Sequence, residues 1–257
     1  MRTIALLYIL PLLLQYNNYC DQGLPASISD TTDSNTCLRS AKATYAVTLL
    51  AQTPNYDSAV TSIREAQSTH NREYVVSFGK DLTGNIFNSP ISAGNINNGH
   101  IPSISNRFAD IHIHTNEQPP SSGDLYGFID QIIADSNYIR YIVTPKGQAY
   151  AFALLSKKEA LHFNTSHARR AGIQQIQADG TSISYQPTFP QQLVDEFNEL
   201  RSWNGVTHEA ALVILLKKYK TGIVLLKQNA SGVYNALDVQ EHADHKGNKS
   251  YLLSHCR

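Results

Sequence analysis

Charge is scarce in this chain. Asp, Glu, Lys and Arg make up 16% of its 257 residues and cancel to a formal net charge of zero. A protein that holds nucleic acid needs a basic excess, so no nucleic-acid partner is expected. Cysteine is scarce too: the three residues are Cys20, Cys37 and Cys256, and none is expected to be a thiol nucleophile, although Asp21 follows Cys20 and His255 precedes Cys256. Long apolar runs are absent beyond the first fifteen residues. Ala210 to Leu216 is at most a buried helix, so no transmembrane span is expected there. Phosphate-cradling glycine loops are missing as well, because Gly84 and Gly147 both sit in turns.

The apolar content of 42% is enough for a packed core, in one large domain or a core domain with an appendage. At the N-terminus, Met1-Arg2-Thr3 is a short basic segment and Ile4 to Leu14 an apolar run of signal-peptide length. Residues 1–20 are therefore expected to be a secretory signal peptide, and the protein exported: periplasmic, secreted or membrane-anchored. Cys20 stands where a lipoprotein carries its lipid, although Asn18-Tyr19 before it is a poor match, so membrane attachment through Cys20 stays open. Three pairing states also stay open: Cys37 with Cys256, Cys20 with Cys37, or a free Cys256. Residues 21–36, rich in Ser, Thr and Asp, read as a flexible tether.

Beyond the tether the period alternates between helix and strand. Leu38 to Leu50 has helical spacing, Thr53-Pro54-Asn55 breaks it, and Asp57 or Ser58 caps a second helix carrying Ala59, Val60 and Ile63. Glu73 to Phe78 reads as a strand, Lys80 to Asn85 as a turn, and Ile86-Phe87 as its partner. Asn88 to Ser105 is a Gly/Asn/Ser/Pro loop, long enough to line or cover a site. Strands follow at Tyr138 to Val143 and Gln148 to Leu155, a polar helix at Lys157 to Arg170, and a turn at Ala178-Asp179-Gly180-Thr181. Helices are expected at Pro190 to Trp203 and His208 to Tyr219, and strands at Ile223 to Leu226, Val233 to Leu237 and Tyr251 to Leu253. The sum is an α/β or α+β fold, a mixed sheet flanked by helices. Residues 37–160 would form the core domain and 161–257 an extension or small α+β lobe.

One stretch concentrates chemistry. In Phe108-Ala-Asp-Ile-His-Ile-His114, alternation puts Asp110, His112 and His114 on one strand face and Ala109, Ile111 and Ile113 on the other. A short turn leads to Ser121-x-x-Asp124, where an apolar stripe of Leu125, Phe128, Ile129 and Ile132 begins a helix. Two imidazoles on one face and a carboxylate folding back from the next helix are three ligands with room for a fourth, the arrangement of a catalytic zinc site. Asp110 would orient an imidazole, or be a satisfied surface acid. Singly, each piece is also good ordinary structure, because Ser121 and Asp124 make a helix cap on any fold.

The run His112-x-His114 … Ser121-x-x-Asp124, with Glu73 at a strand start thirty-nine residues before His112, resembles the signature of the JAB/MPN (JAMM) metalloproteases. The resemblance covers about Asp57 to Leu155. It implies a JAB/MPN-like (cytidine deaminase-like) core and Zn²⁺ on His112, His114 and Asp124 with water in the fourth position. It further implies Glu73 as general base and Ser121 as donor to the oxyanion. The expected activity is hydrolysis of an amide or isopeptide bond in a peptide or protein substrate. The family's Pro after the second His is Thr115 here, with Pro119-Pro120 as substitute stiffening. The alternative expectation is a catalytically inactive cell-surface lipoprotein or binding module that keeps the fold. His242, His245 and His255 fit no ligand spacing and are expected in solvent.

Overall fold

A computed structural model describes residues 33–255, apart from 171–173, 177–181, 185–187, 244, 246 and 248. The expected signal peptide, nearly all of the expected tether, Cys20, Cys256 and the turn at Ala178 to Thr181 lie outside the described residues.

Two helices open the described chain, α1 (Asp33–Ala51) and α2 (Pro54–Thr69). The Thr53-Pro54 break between them is also the start of α2. Thr53 Oγ1 accepts from Tyr56 N at 3.3 Å, and Pro54, whose missing N–H costs nothing in the first turn, follows the cap. The expected cap at Asp57 or Ser58 therefore falls one turn inside the helix. Next come β1 (Tyr74–Lys80), β2 (Ile86–Asn88), β3 (Ser92–Ala93) and β4 (Arg107–Ile113), then α3 (Ser122–Ala134), β5 (Ile139–Val143), β6 (Ala149–Leu154) and α4 (Lys157–Ser166). The chain continues through the short β7 (Gln174–Ile176) and β8 (Ser182–Ser184), then α5 (Gln191–Ser202), α6 (His208–Lys218), β9 (Ile223–Gln228), β10 (Tyr234–Ala243) and β11 (Lys249–His255).

Nine strands form one mixed, mostly antiparallel sheet in the order β11-β10-β9-β6-β5-β4-β1-β2, with β3 also on β1. The exception to the antiparallel pattern within it is β4 beside β5, which α3 connects as a parallel crossover. Because β9 pairs with β6, strands from the last third extend the same sheet, and Asn35–Arg257 forms one compact unit. Side chains alternate into two cores. Ala109, Ile111, Ile113, Tyr141, Ala151 and Leu226 face α1 and α2, whereas Ile142, Tyr150, Phe152 and Leu225 face the side of α3 to α6. Covering both faces explains why the central strands read as nearly unbroken apolar runs.

Two expectations change in detail. The loop from Asn88 to Ser105 contains β3, which pairs Ser92 and Ala93 with Val75 and Tyr74. The helix expected to reach Arg170 stops at Ser166, because the arginines beyond it are engaged elsewhere. Arg169 forks onto Asp130 at 2.6 and 2.8 Å, and Arg170 donates from N to Thr188 O and from Nε to Phe189 O, each at 3.0 Å.

Candidate metal centre

The site is built where β4 ends. His112 pairs with Val75 of β1 on one side and Ile142 of β5 on the other, so the centre of the sheet fixes its backbone. His114 lies just past the strand, held by its N–H to Val143 O at 2.9 Å. Its ring Nδ1 lies 2.8 Å from the Gln118 carbonyl. A carbonyl only accepts, so Nδ1 carries the proton and Nε2 faces the site.

The third candidate ligand comes from the helix cap. Ser121 is the N-cap of α3 and Asp124 its third residue, and each side chain reaches the other's backbone. Asp124 Oδ2 accepts from Ser121 N and from Ser121 Oγ, both at 2.7 Å. That leaves Oδ1 turned towards His112, with Nε2 at 3.0 Å, while His114 Nε2 stands 3.3 Å from Oδ2. Helix cap and metal-ligand readings of Ser121-x-x-Asp124 are thus compatible: the cap aims the carboxylate. It also occupies the Ser121 hydroxyl.

Ligand atoms of His112, His114 and Asp124 lie within 4.8 Å of one another, and all three residues are buried. His112 Nε2 is buried and, although 3.0 Å from Asp124 Oδ1, is not aligned to form a hydrogen bond with it. Such an atom is unfavourable unless its lone pair meets an electrophile. Two imidazoles, a carboxylate and an orphaned ring nitrogen suit a divalent cation, and the group could bind one; zinc is compatible with that donor set without being singled out by it.

Glu73 arrives from the adjacent strand edge. Its N–H donates to Asn95 O at 2.7 Å, and its carbonyl accepts from Gly94 N at 2.8 Å. The side chain lines the same cleft as His112 and Asp124, a cavity of about 120 Å³. Burial, the largest influence, pushes its carboxyl up to about 7 against the pull of the His112 charge. Burial would also raise Asp124, but the imidazoles outweigh it and hold that carboxyl well below its ordinary range. For His114, burial lowers the value and the Asp124 charge more than reverses this, raising it to about 9.

Long loop 88–105 does line the cleft, through Gly99 and Ile101. Gly99 packs so closely on β1 that a Cβ there would stand 2.5 Å from Val75 Cγ2, and its N–H bonds the Glu73 carboxylate. Thr115, the residue in place of the expected Pro, donates from Oγ1 to Ile96 O at 3.0 Å. Proline could not make that tie, which anchors the loop that holds Glu73.

Asp110 does not do what was expected of it. It is fully buried, and its carboxylate takes Arg140 Nη2 at 2.8 Å, Arg140 Nε at 3.0 Å and the Tyr138 hydroxyl at 2.8 Å. It orients neither imidazole. Arg140 in turn donates from Nη1 to the Asp124 backbone carbonyl at 3.3 Å. Its fit against α3 depends on Gly127, since a Cβ there would collide with the guanidinium. Sequence reasoning passed over Arg140, although an arginine inside Ile139-Arg-Tyr-Ile-Val143 is a signal: a charge in a buried strand must be paired. His242, His245 and His255 are exposed. No family model matches the chain, and no curated protein and no solved structure matches it either.

Proposed function

We propose that the chain is an exported, zinc-dependent hydrolase of the JAB/MPN type that cleaves an amide or isopeptide bond. The observation that carries this reading is the entry of Glu73, from a separate strand, into the cleft where His112, His114 and Asp124 converge. The parallel β4–α3–β5 unit, with β1 antiparallel to β4, supports the reading by bringing the start of β1, the end of β4 and the start of α3 together. Exchange of the family's Pro for Thr115 leaves the ligand geometry intact and adds a loop anchor.

Within this proposal His112 Nε2, His114 Nε2 and Asp124 Oδ1 hold the ion. A zinc ion bound there supplies a Lewis acid that acidifies a water molecule towards neutrality. Glu73, buried and raised to about 7, is poised to accept a proton near neutral pH and return it to a leaving amine. Ser121 serves the oxyanion only if its hydroxyl turns from Asp124, and its backbone N–H keeps Asp124 oriented while it does. Gly99 and Ile101 line the cleft beside Glu73 and His112.

The competing reading, an inactive binding module, is favoured by the engagement of Ser121 Oγ within the cap. Metal analysis of the purified protein with a peptide-hydrolysis assay separates the two. The hydrolase reading expects about one zinc per chain, lost in His112→Ala, and turnover lost in Glu73→Gln while zinc is kept. Zinc-free protein, or turnover indifferent to Glu73→Gln, would sink it.

A further inference from the structure

The last third of the chain reaches the metal group through a series of packed rings. Ser122, the first residue of α3, has its Oγ 2.7 Å from Thr188 Oγ1. Phe189, the next residue, is buried and meets Tyr126 of α3 edge-to-face, with ring centroids 6.0 Å apart. It also packs on Phe197 of α5 at 6.4 Å, and Phe197 in turn stands edge-to-face on His208 of α6 at 4.9 Å. Thr207 caps α6 by accepting from Ala210 N at 3.2 Å, so the backbone under His208 is fixed. The series ends on the turn between two of the candidate ligands, where a ring N–H of His208 bonds the carbonyl of Pro120.

That bond falls at a sensitive place. Pro119 and Pro120 carry no N–H, so the turn after His114 is tied down through its carbonyls and side chains instead. Two of those carbonyls hold histidines. Gln118 O meets His114 Nδ1 at 2.8 Å and so sets the ring that offers Nε2 to the site. Pro120 O, immediately before the Ser121 cap that aims Asp124, is held by His208. His208 Nδ1 is buried and has no partner, which leaves Nε2 as the donor. Burial, with the Arg201 charge behind it, holds the ring below its ordinary pKa, so it is a neutral donor of one proton.

We propose that His208 is a positioning residue for the metal group: by holding the Pro120 carbonyl it fixes the turn that orients His114 through Gln118 and aims Asp124 through Ser121. The proposal rests on the reading that His112, His114 and Asp124 bind a divalent cation, and not on hydrolysis. If His208 only fastened α6 to the core, its loss would lower stability and leave the metal indifferent.

The test is titration of the full chain with Zn²⁺ in competition with a chelator, and with Co²⁺ followed by its visible spectrum. His208→Phe keeps a ring against Phe197 and removes the donor. Zinc affinity is expected to fall about tenfold and the Co²⁺ spectrum to change, while the metal-free melting temperature moves by no more than about 4 °C. His208→Gln, whose amide offers an N–H at similar reach, should recover most of the affinity and the wild-type spectrum. His208→Leu carries the same expectation as His208→Phe should the phenyl ring disturb the fold. Wild-type zinc affinity in a folded His208→Phe or His208→Leu would overturn the proposal and leave the metal reading standing. So would a His208→Gln no better than His208→Phe, or loss of the metal-free fold in both non-donating variants. A wild-type chain that binds neither ion would overturn the metal reading, and this proposal with it.

Discussion

Asp110 and His112 stand two residues apart on the same face of β4, both buried, yet they solve burial in opposite ways. Around Asp110 the partners are in place: Arg140 forks onto it through Nε and Nη2, Tyr138 caps it, and Arg140 Nη1 donates to the Asp124 carbonyl. Around His112 the accounts stay open, with a nitrogen lacking a hydrogen bond, a carboxyl raised by burial and a histidine raised by its neighbours. A satisfied buried ion pair holds a fold together. An unsatisfied cluster at the end of the same strand implies something that the protein chain does not itself supply. The Asp110 cluster then supports the other, because Arg140 ties the first turn of α3, and with it Asp124, to the sheet.

Removing one partner from the closed cluster should have the largest effect. Arg140→Ala leaves Asp110 charged and alone in the core, and is expected to cost about 3–5 kcal/mol of folding stability. His112→Ala, at the open cluster, removes a nitrogen without a hydrogen bond, and with it the imidazole that helps hold Asp124 ionised, so it should cost less than Arg140→Ala, about 1–3 kcal/mol in metal-free protein. Urea denaturation of both variants without metal checks the comparison. Equal losses would mean that the two clusters are both merely structural.

The next effect is on turnover rather than stability. On the proposed hydrolase reading, Glu73→Gln keeps shape and burial but cannot take a proton, so hydrolysis should fall at least a hundredfold, about 2.7 kcal/mol of barrier, while zinc content stays unchanged. Because the raised carboxyl is a cost to the folded state above its ordinary value, the same variant should be slightly more stable than wild type near pH 8. Thermal melts read that directly.

Much of this was legible in the sequence, and the reasons differ by residue. Alternation in β4 and the Ser121-to-Asp124 spacing are short-range patterns, fixed by strand and helix periods, so they brought together three candidate ligands. Glu73 was reached only through the family resemblance, since one Glu at a strand start carries no periodic signal. Asp110 was misassigned because its partner Arg140 is contributed by the parallel neighbour β5, a pairing that alternation within β4 cannot reveal. Thr115 looked like a loss of stiffness when read against a motif. Its compensating bond goes to Ile96, nineteen residues back, and such a loop contact has no sequence period at all.

Acidity gives a third, smaller contrast. In metal-free protein His114 titrates at about 9 rather than its ordinary value of 6.5. Its contribution is fully present below 6.5 and lost as pH rises through 9. Glu73 acts in the same direction, since its rise to about 7 makes the folded state lose stability from 4.5 upwards. Metal-free stability should therefore decline between pH 5 and 9. Zinc affinity should run the other way, improving by up to about tenfold per pH unit below 9, because binding must release the His114 proton. Competition with a chelator across that range measures it, and a flat profile would remove His114 from the ligand set.

The smallest effect tests whether the open cluster has its own support. Thr115→Val preserves the branched shape and removes the bond to Ile96, a partly exposed contact worth about 1 kcal/mol. Since that bond holds the loop through which Gly99 reaches Glu73, the loss should fall on the cleft more than on the fold. The expected outcome is a change in stability of no more than about 1 kcal/mol, unchanged zinc content, and a loss of turnover larger than the stability change accounts for. Amide exchange confined to the 94–101 loop would locate the effect. Should zinc content fall along with turnover, Thr115 supports His114 instead of the loop, and the open cluster is held from the turn that follows β4.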